Sequence, residues 1–271
     1  MIYLRSAEEI ARIRASAQLV AACLDHLEPL VVPGVTTGAL DRAAEEFVRG
    51  HGAVPAFKGY RGYPASLCVS VNEVVVHGIP GDDALVEGDI VGLDMGVLRD
   101  GFYGDAARTL PVGRVGDDVA RLLAVGREAL MRGVAAAVDG GRVGDIGHAV
   151  QSYVEGFGFN VVRDLTGHGV GRQLHEEPQV PNYGRPGRGP KLQAGMVLAI
   201  EPMITAGAWE IFTMPDNWTV ITRDRSWSAH FEHTVAVGHG AAEILSLSGR
   251  ETASRGGPGG PASRLAAGEG R

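Results

Sequence analysis

Apolar residues recur at helical spacing at Ile10, Ile13, Ala17, Val20 and Ala21. Ahead of them Ser6 and Glu9 stand three apart as a capping box, so the pattern predicts a helix over about 6–28. The segment VVPGVTTG breaks the period. TTGALDRAAEEFVRGHG then reads as a second helix, capped by Thr36 or Thr37 and stopped by Gly50 and Gly52. From Pro55 to about 113 the text turns strand-like, in CVSVNEVVVHG, DIVGLDMGV and FYGDAARTLPVG. Helices return over about 117–138 and 143–157. Strand segments follow over about 159–166, 196–206, 210–222 and 228–237.

Two helices followed by strands, twice over, point to an internal repeat. A shift of 106 residues lays residues 34–52 on 140–158. Glycines 34, 38, 50 and 52 then meet glycines 140, 144, 156 and 158, while Leu40 and Phe47 meet Ile146 and Tyr153. The reading is a duplicated α+β half, with any site between the halves. The folded domain is expected to span 1–248. Residues 249–271, rich in Gly, Ala, Ser and Pro without an apolar period, are expected to form a disordered tail.

Composition narrows the function classes. The chain has 271 residues, 45% of them hydrophobic, and a net charge of −7, with no block of clustered Lys and Arg. Direct nucleic-acid binding is therefore not expected. Cys23 and Cys68 are too few for a disulfide framework and lack zinc-pair spacing, which fits a reduced, cytoplasmic setting. The start, MIYLRSAEEIARIR, has no signal-peptide pattern, and no apolar run is long enough to span a membrane.

Against this background, LDMGVLRDGFYGD carries two carboxylates, Asp94 and Asp105, among apolar residues. Asp100-Gly101 between them is a preferred hairpin turn. If these are the central turn residues, Asp105 lies opposite Gly96 and diagonal to Asp94. A tighter register would set the two acids directly opposite. Either way they share one face, about 5 to 8 Å apart. Like charges so close on a buried face need a neutraliser: Arg108 or Arg99, or a divalent cation. Asp83, Asp89 and Asp100 sit in polar turns and read as surface residues. Two further acids break apolar runs, Glu201 in MVLAIEPMI and Glu232 in AHFEHTVAV, and neither run contains Lys or Arg. Four carboxylates carry −4, which two divalent ions would balance.

In TGHGVGRQLHEEP, His168 is flanked by glycines that would let the backbone approach a ligand. The GxGxG text lacks the lysine of a phosphate loop and any acidic ribose partner, so nucleotide binding is rejected. HEEPQ is not HExxH, because position 179 is Gln. His233 points away from the Glu232 face and His230 falls near a strand start, so both read as structural or exposed.

Asp94, Asp105, His168, Glu201 and Glu232, in that order, resemble the five metal ligands of the methionine aminopeptidase family. GYRGYPASLCVSVNEVVVHGIP and GHGVGRQLHEEP resemble its type I members. The likeness covers about residues 3 to 240. It implies the pita-bread α+β fold, two pseudo-symmetric helix-helix-strand halves around a central antiparallel sheet. It also implies two divalent ions (Co, Mn, Fe or Zn), with Asp105 and Glu232 bridging them. His77 would then contact the scissile amide region, His175 would stabilise the carbonyl oxygen, and Glu201 would carry the proton. Tyr60, Tyr63, Cys68 and Trp218 would line a methionine pocket. Leu174 departs from the aromatic usual at its position and makes that wall softer. The implied activity is removal of N-terminal methionine from nascent chains and peptides, favouring a small second residue. A monomer is expected, in the cytoplasm and near the ribosome. The competing readings are a Xaa-Pro-type aminopeptidase and a catalytically inactive peptide-binding module.

Overall fold

In the computed structural model, which describes residues 1–248, the Ser6 hydroxyl accepts the Glu9 backbone N–H at 3.2 Å and the Glu9 carboxylate reciprocates. The box opens α1, Ala7–Leu27. Helix α2 runs Thr37–Gly50 and is capped by Thr36, whose hydroxyl accepts the N–H of Ala39. Helices α3, Asp117–Ala136, and α4, Val143–Gly156, complete the set. Both α2 and α4 are 14 residues long, and their bounds differ by 106 at each end, as the repeat requires. The residue before each makes an isolated bridge to a following loop, Thr36 to Ala84 and Arg142 to Lys191.

The strands are β1 Val54–Pro55, β2 Cys68–Val71, β3 Val74–Val76, β4 Ile90–Arg99 and β5 Phe102–Pro111 in the first half. The second half adds β6 Asn160–Val161, β7 Thr166–Gly169, β8 Glu176–Pro181, β9 Val197–Ile200 and β10 Met203–Thr205. It closes with β11 Ile211–Thr213, β12 Val220–Thr222, β13 Ser228–His230, β14 Glu232–Ala236 and β15 Glu243–Ile244. The main sheet has the order β1-β4-β5-β14-β9-β7-β8, with β2 also on β4 and β15 on β14. All its ladders are antiparallel. Two small sheets, β13-β10-β6 and β11-β12-β3, flank it.

Each half has its own core. Val20, Leu24, Leu40 and Val48 of α1 and α2 pack on Leu93 and Met95. Leu122, Leu130, Ile146 and Val150 of α3 and α4 pack on Leu198 and Ile200. Burying each such side chain contributes roughly 1.5–3 kcal/mol. The helices cover one face of the main sheet, and the opposite face is left for chemistry.

Several local expectations change: 159–166 holds β6 and only the start of β7, and 210–222 splits into β11 and β12. The segments 196–206 and 228–237 each break in two, at Glu201-Pro202 and at Phe231. Proline has no N–H for the ladder, so β9 cannot continue through it. The paired strands bend together there, where the Phe231 N–H donates to the Pro202 carbonyl. The unpredicted β8 is an edge strand, EEPQVP, whose charges and prolines hide its pairing. The expected tail lies outside the described residues.

Candidate metal centre

The β4–β5 turn is Asp100-Gly101, both at positive φ, so the looser of the two registers is realised. Gly96 faces Asp105, and Asp94 faces Ala107. On the other side of β5, Glu232 also faces Ala107. Opposed residues share a sheet face, so Asp94, Ala107 and Glu232 form a row, and Asp105 lies on the same face two residues along. A second row runs from Thr234 through Ala199 to His168. Glu232 lies two before Thr234 and Glu201 two after Ala199. Cross-strand register therefore gathers the five candidate ligands on one face, with the small, buried Ala107 and Ala199 between them. Asp105, His168 and Glu232 each offer a ligand atom within 4.8 Å of the others.

The arginine neutralisers do not serve this cluster. Arg108 faces Leu93 on the opposite side of β4–β5 and pairs with Asp25 of α1 at 2.6 Å. Arg99 stays at the turn, 3.7 Å from Asp100. Asp94 Oδ1, Asp105 Oδ1 and Glu232 Oε1 are buried with no hydrogen-bond partner. Burial pushes Asp94 and Glu201 up to about 7. Burial, and then the charges of Asp94 and Glu201, push Asp105 well above the carboxylate range; burial, and then the charges of Asp105, Glu201 and Asp94, do the same to Glu232. Orphaned carboxylate oxygens around one point are what a hard or borderline divalent ion satisfies, and the site fits such an ion. The His168 Nδ1–H donates to the Gly169 carbonyl at 2.9 Å, which leaves the Nε2 lone pair free beside Glu201, 3.5 Å away.

The glycines around His168 have a different use from the one expected. A Cβ on Gly167 would lie 2.4 Å from the Ala199 carbonyl, and one on Gly169 would lie 2.4 Å from that of Glu177. They let β7 approach β9 and β8, not a ligand.

One cavity is lined by all eleven site residues singled out from sequence: the four acids and His168 above, with His77, His175, Tyr60, Tyr63, Cys68 and Trp218. Cys68 faces Asp94 in the β2–β4 ladder, which explains its place. Tyr63, Cys68, Leu174 and Phe57 form a buried apolar wall, and Trp218 meets Tyr63 edge-on at 5.1 Å between centroids. The Tyr63 hydroxyl donates to the Gly78 carbonyl. Burial and then His230 hold His77 down at about 4, and burial and then His168 hold His175 down at about 3, so both are neutral at pH 7. His175 Nδ1 is 2.8 Å from the Tyr60 hydroxyl. Its turn is fixed by Glu176, which pairs with the buried Arg5 and accepts the N–H groups of Arg172 and Gln173 at 2.9 and 3.0 Å.

Three residues at the site were not singled out as functional. Phe57 and Arg61 also line the cavity; Phe57 just precedes the GYRGYP text and Arg61 lies within it, where neither interrupts an apolar run as the acids do. For His230 the exposed reading is corrected: it is 4% exposed, and its Nε2 is 3.6 Å from Glu201 Oε2. The bend at Phe231 turns it inward, which strand alternation does not show. His233 fits the structural reading, buried on the far face with Nδ1 2.9 Å from the Ser246 hydroxyl.

Comparison with known proteins agrees with this geometry. The methionine aminopeptidase of Clostridium acetobutylicum is 50% identical over 91% of this chain and 99% of its own length. Methionine aminopeptidase 1 of Bacillus subtilis is 48% identical over 90% of this chain and 99% of its own. The crystal structure of methionine aminopeptidase from Rickettsia prowazekii superposes with a TM-score of 0.90 at 44% identity, covering 91% of this chain and 100% of that one. Prolidase from Pyrococcus furiosus, 22% identical with a TM-score of 0.74, shares the fold, and this chain spans 65% of its length. The architecture is thus the α+β pita-bread fold. Residues 11–239 match the model of metallopeptidase family M24, and the chain belongs to that family.

Proposed function

We propose that this protein removes N-terminal methionine from peptides and nascent chains by hydrolysis assisted by two divalent ions. The observation that carries the reading is the cluster of buried, partnerless carboxylates opening directly onto an apolar pocket. The similar proteins named methionine aminopeptidase support it. Asp94, Asp105, His168, Glu201 and Glu232 would hold the ions. When bound, such ions supply Lewis acidity that activates water and polarises the peptide carbonyl.

The chain's own groups do the rest. Glu201 carries a proton from the attacking water to the leaving amine. The Tyr60 hydroxyl donates to His175 Nδ1, which leaves Nε2–H to donate to the carbonyl oxygen. His77, neutral and held edge-on to Trp218, donates toward the scissile amide. The wall of Phe57, Tyr63, Cys68, Leu174 and Trp218 takes the flexible thioether of methionine and excludes water. The five candidate ligands line one cavity, which supports an active enzyme over an inactive module. No helix among the described residues is long and apolar enough to cross a membrane.

The test is the rate on Met-Ala-Ser, Met-Glu-Ser and Leu-Ala-Ser with chelated protein as Mn, Fe, Co or Zn is restored. Activity is expected only with metal, and fastest on Met-Ala-Ser. Equal rates on the methionine and leucine peptides, or undiminished activity after chelation, contradict the proposal.

A further inference from the structure

His230 is built into the molecule with unusual care for a residue outside the ligand set. Its backbone N–H donates to Thr109 Oγ1 at 2.9 Å, and the Thr109 hydroxyl donates to its carbonyl at 2.8 Å. On the other side it pairs with Met203 in the β10–β13 ladder. Both edges of the residue are therefore held, and the ring has a fixed origin. That ring is almost wholly buried, yet Nε2 has no hydrogen-bond partner. It stands 3.6 Å from Glu201 Oε2, and the Asp94 charge acts on it as well. His230 is not among the residues that line the cavity, and its charge also acts on His77, which does line it.

A buried N–H left without an acceptor is costly, and so is a buried carboxylate oxygen without a donor. Here one faces the other at a separation only slightly beyond hydrogen-bond length, which a small rotation of Glu201 would close. With carboxylate oxygens in front of Nε2, the favoured tautomer carries its proton there. Ligating carboxylates are oriented by such donors behind them, which fix the oxygen that faces the ion.

We propose that His230 is a positioning residue that donates Nε2–H to Glu201 and orients it for metal binding and proton transfer. The proposal rests on the metal-dependent hydrolysis proposed above. A direct ligand role is the competing reading, and the two differ in what an ion bound at the site experiences.

The experiment uses the full chain, stripped of metal and titrated calorimetrically with Mn(II), alongside Co(II) visible spectra and kinetics on Met-Ala-Ser. His230→Leu removes the donor, and His230→Gln keeps an N–H at a similar reach. His230→Met supplies the apolar comparison should the leucine variant not fold. The apolar variant is expected to bind Mn(II) about 10–100-fold more weakly. At saturating metal its kcat should fall about tenfold with KM changed less than about threefold, because the residue lies outside the cavity lining. His230→Gln should recover both to within about threefold of the unmodified protein. Binding within about twofold in the apolar variant, or glutamine no better than leucine, overturns the proposal. So does a shift of the Co(II) bands in His230→Gln, which would place the ring on the ion. Unmodified protein that binds Mn(II) but leaves Met-Ala-Ser intact would instead contradict the proposed reaction, leaving the binding comparison to stand.

Discussion

Asp94, Asp105, Glu201 and Glu232 each spend folding free energy on burial that their own hydrogen bonds do not return. An unfolded chain holds such groups near 3.8 and 4.5, whereas the metal-free fold raises Asp94 and Glu201 to about 7. Between those values the folded state keeps protons that the unfolded state has lost, so stability falls as pH rises through that window. Metal-free protein should therefore melt at a lower temperature at pH 8 than at pH 5. Mn(II) should remove the deficit at pH 8, since binding favours the deprotonated ligands. Melting curves of chelated and Mn-loaded protein at both pH values check this, and a chelated protein equally stable at both would count against it. Asp94→Ala or Glu201→Ala should reduce turnover of Met-Ala-Ser more than about 100-fold, beyond the loss expected from an outer-shell change. Near-normal rates in either variant would remove that residue from the site.

At the scale of elements, the pocket wall hangs from α2. Asp41 Oδ1 accepts the N–H groups of Ser66 and Leu67 at 2.8 and 2.9 Å. Glu45 takes Lys58 Nζ at 2.7 Å and the Ser66 hydroxyl at 3.0 Å, bracketing the loop that carries Tyr60 and Tyr63. Hydrogen bonds from Lys58 and then Arg49 hold Glu45 down at about 2. A depressed carboxylate contributes stability that is fully present above 4.5 and is lost as pH falls from there through about 2. With its side chain 22% exposed, solvent screening limits the contribution to about 1 kcal/mol. Glu45→Gln should lower stability by about that amount at pH 7 and by less at pH 3. It should also raise KM for Met-Ala-Ser several-fold with little change in kcat, because the wall loosens while the metal ligands stay put. Steady-state kinetics with denaturant melts at the two pH values separate these effects.

At the scale of the whole molecule, two cores, one per half, clamp a single sheet whose free face holds the chemistry. The described fold closes at β15 and at Ser246, which ties to His233 and Thr234. Residues 249–271 bring no apolar period to it, so truncation after Ser248 should leave kcat/KM within about twofold and Tm within about 2 °C, less than 1 kcal/mol. A larger loss in either assay would give that segment a role. Much of this was legible in the chain, because local physics writes it locally. The Ser6–Glu9 box, the Thr36 cap, the Asp100-Gly101 turn and the 106-residue repeat all follow from neighbours in sequence. The acids announced themselves because each interrupts an apolar run. Strand β8, the bends at Pro202 and Phe231, the turning-in of His230 and the real use of Gly167 and Gly169 did not. Each depends on which distant strand lies alongside, a matter of cross-strand register and backbone approach. The residues by themselves determined which side chains could bind metal; only the packed sheet decided which of them meet, because that is set by partners far away in the chain.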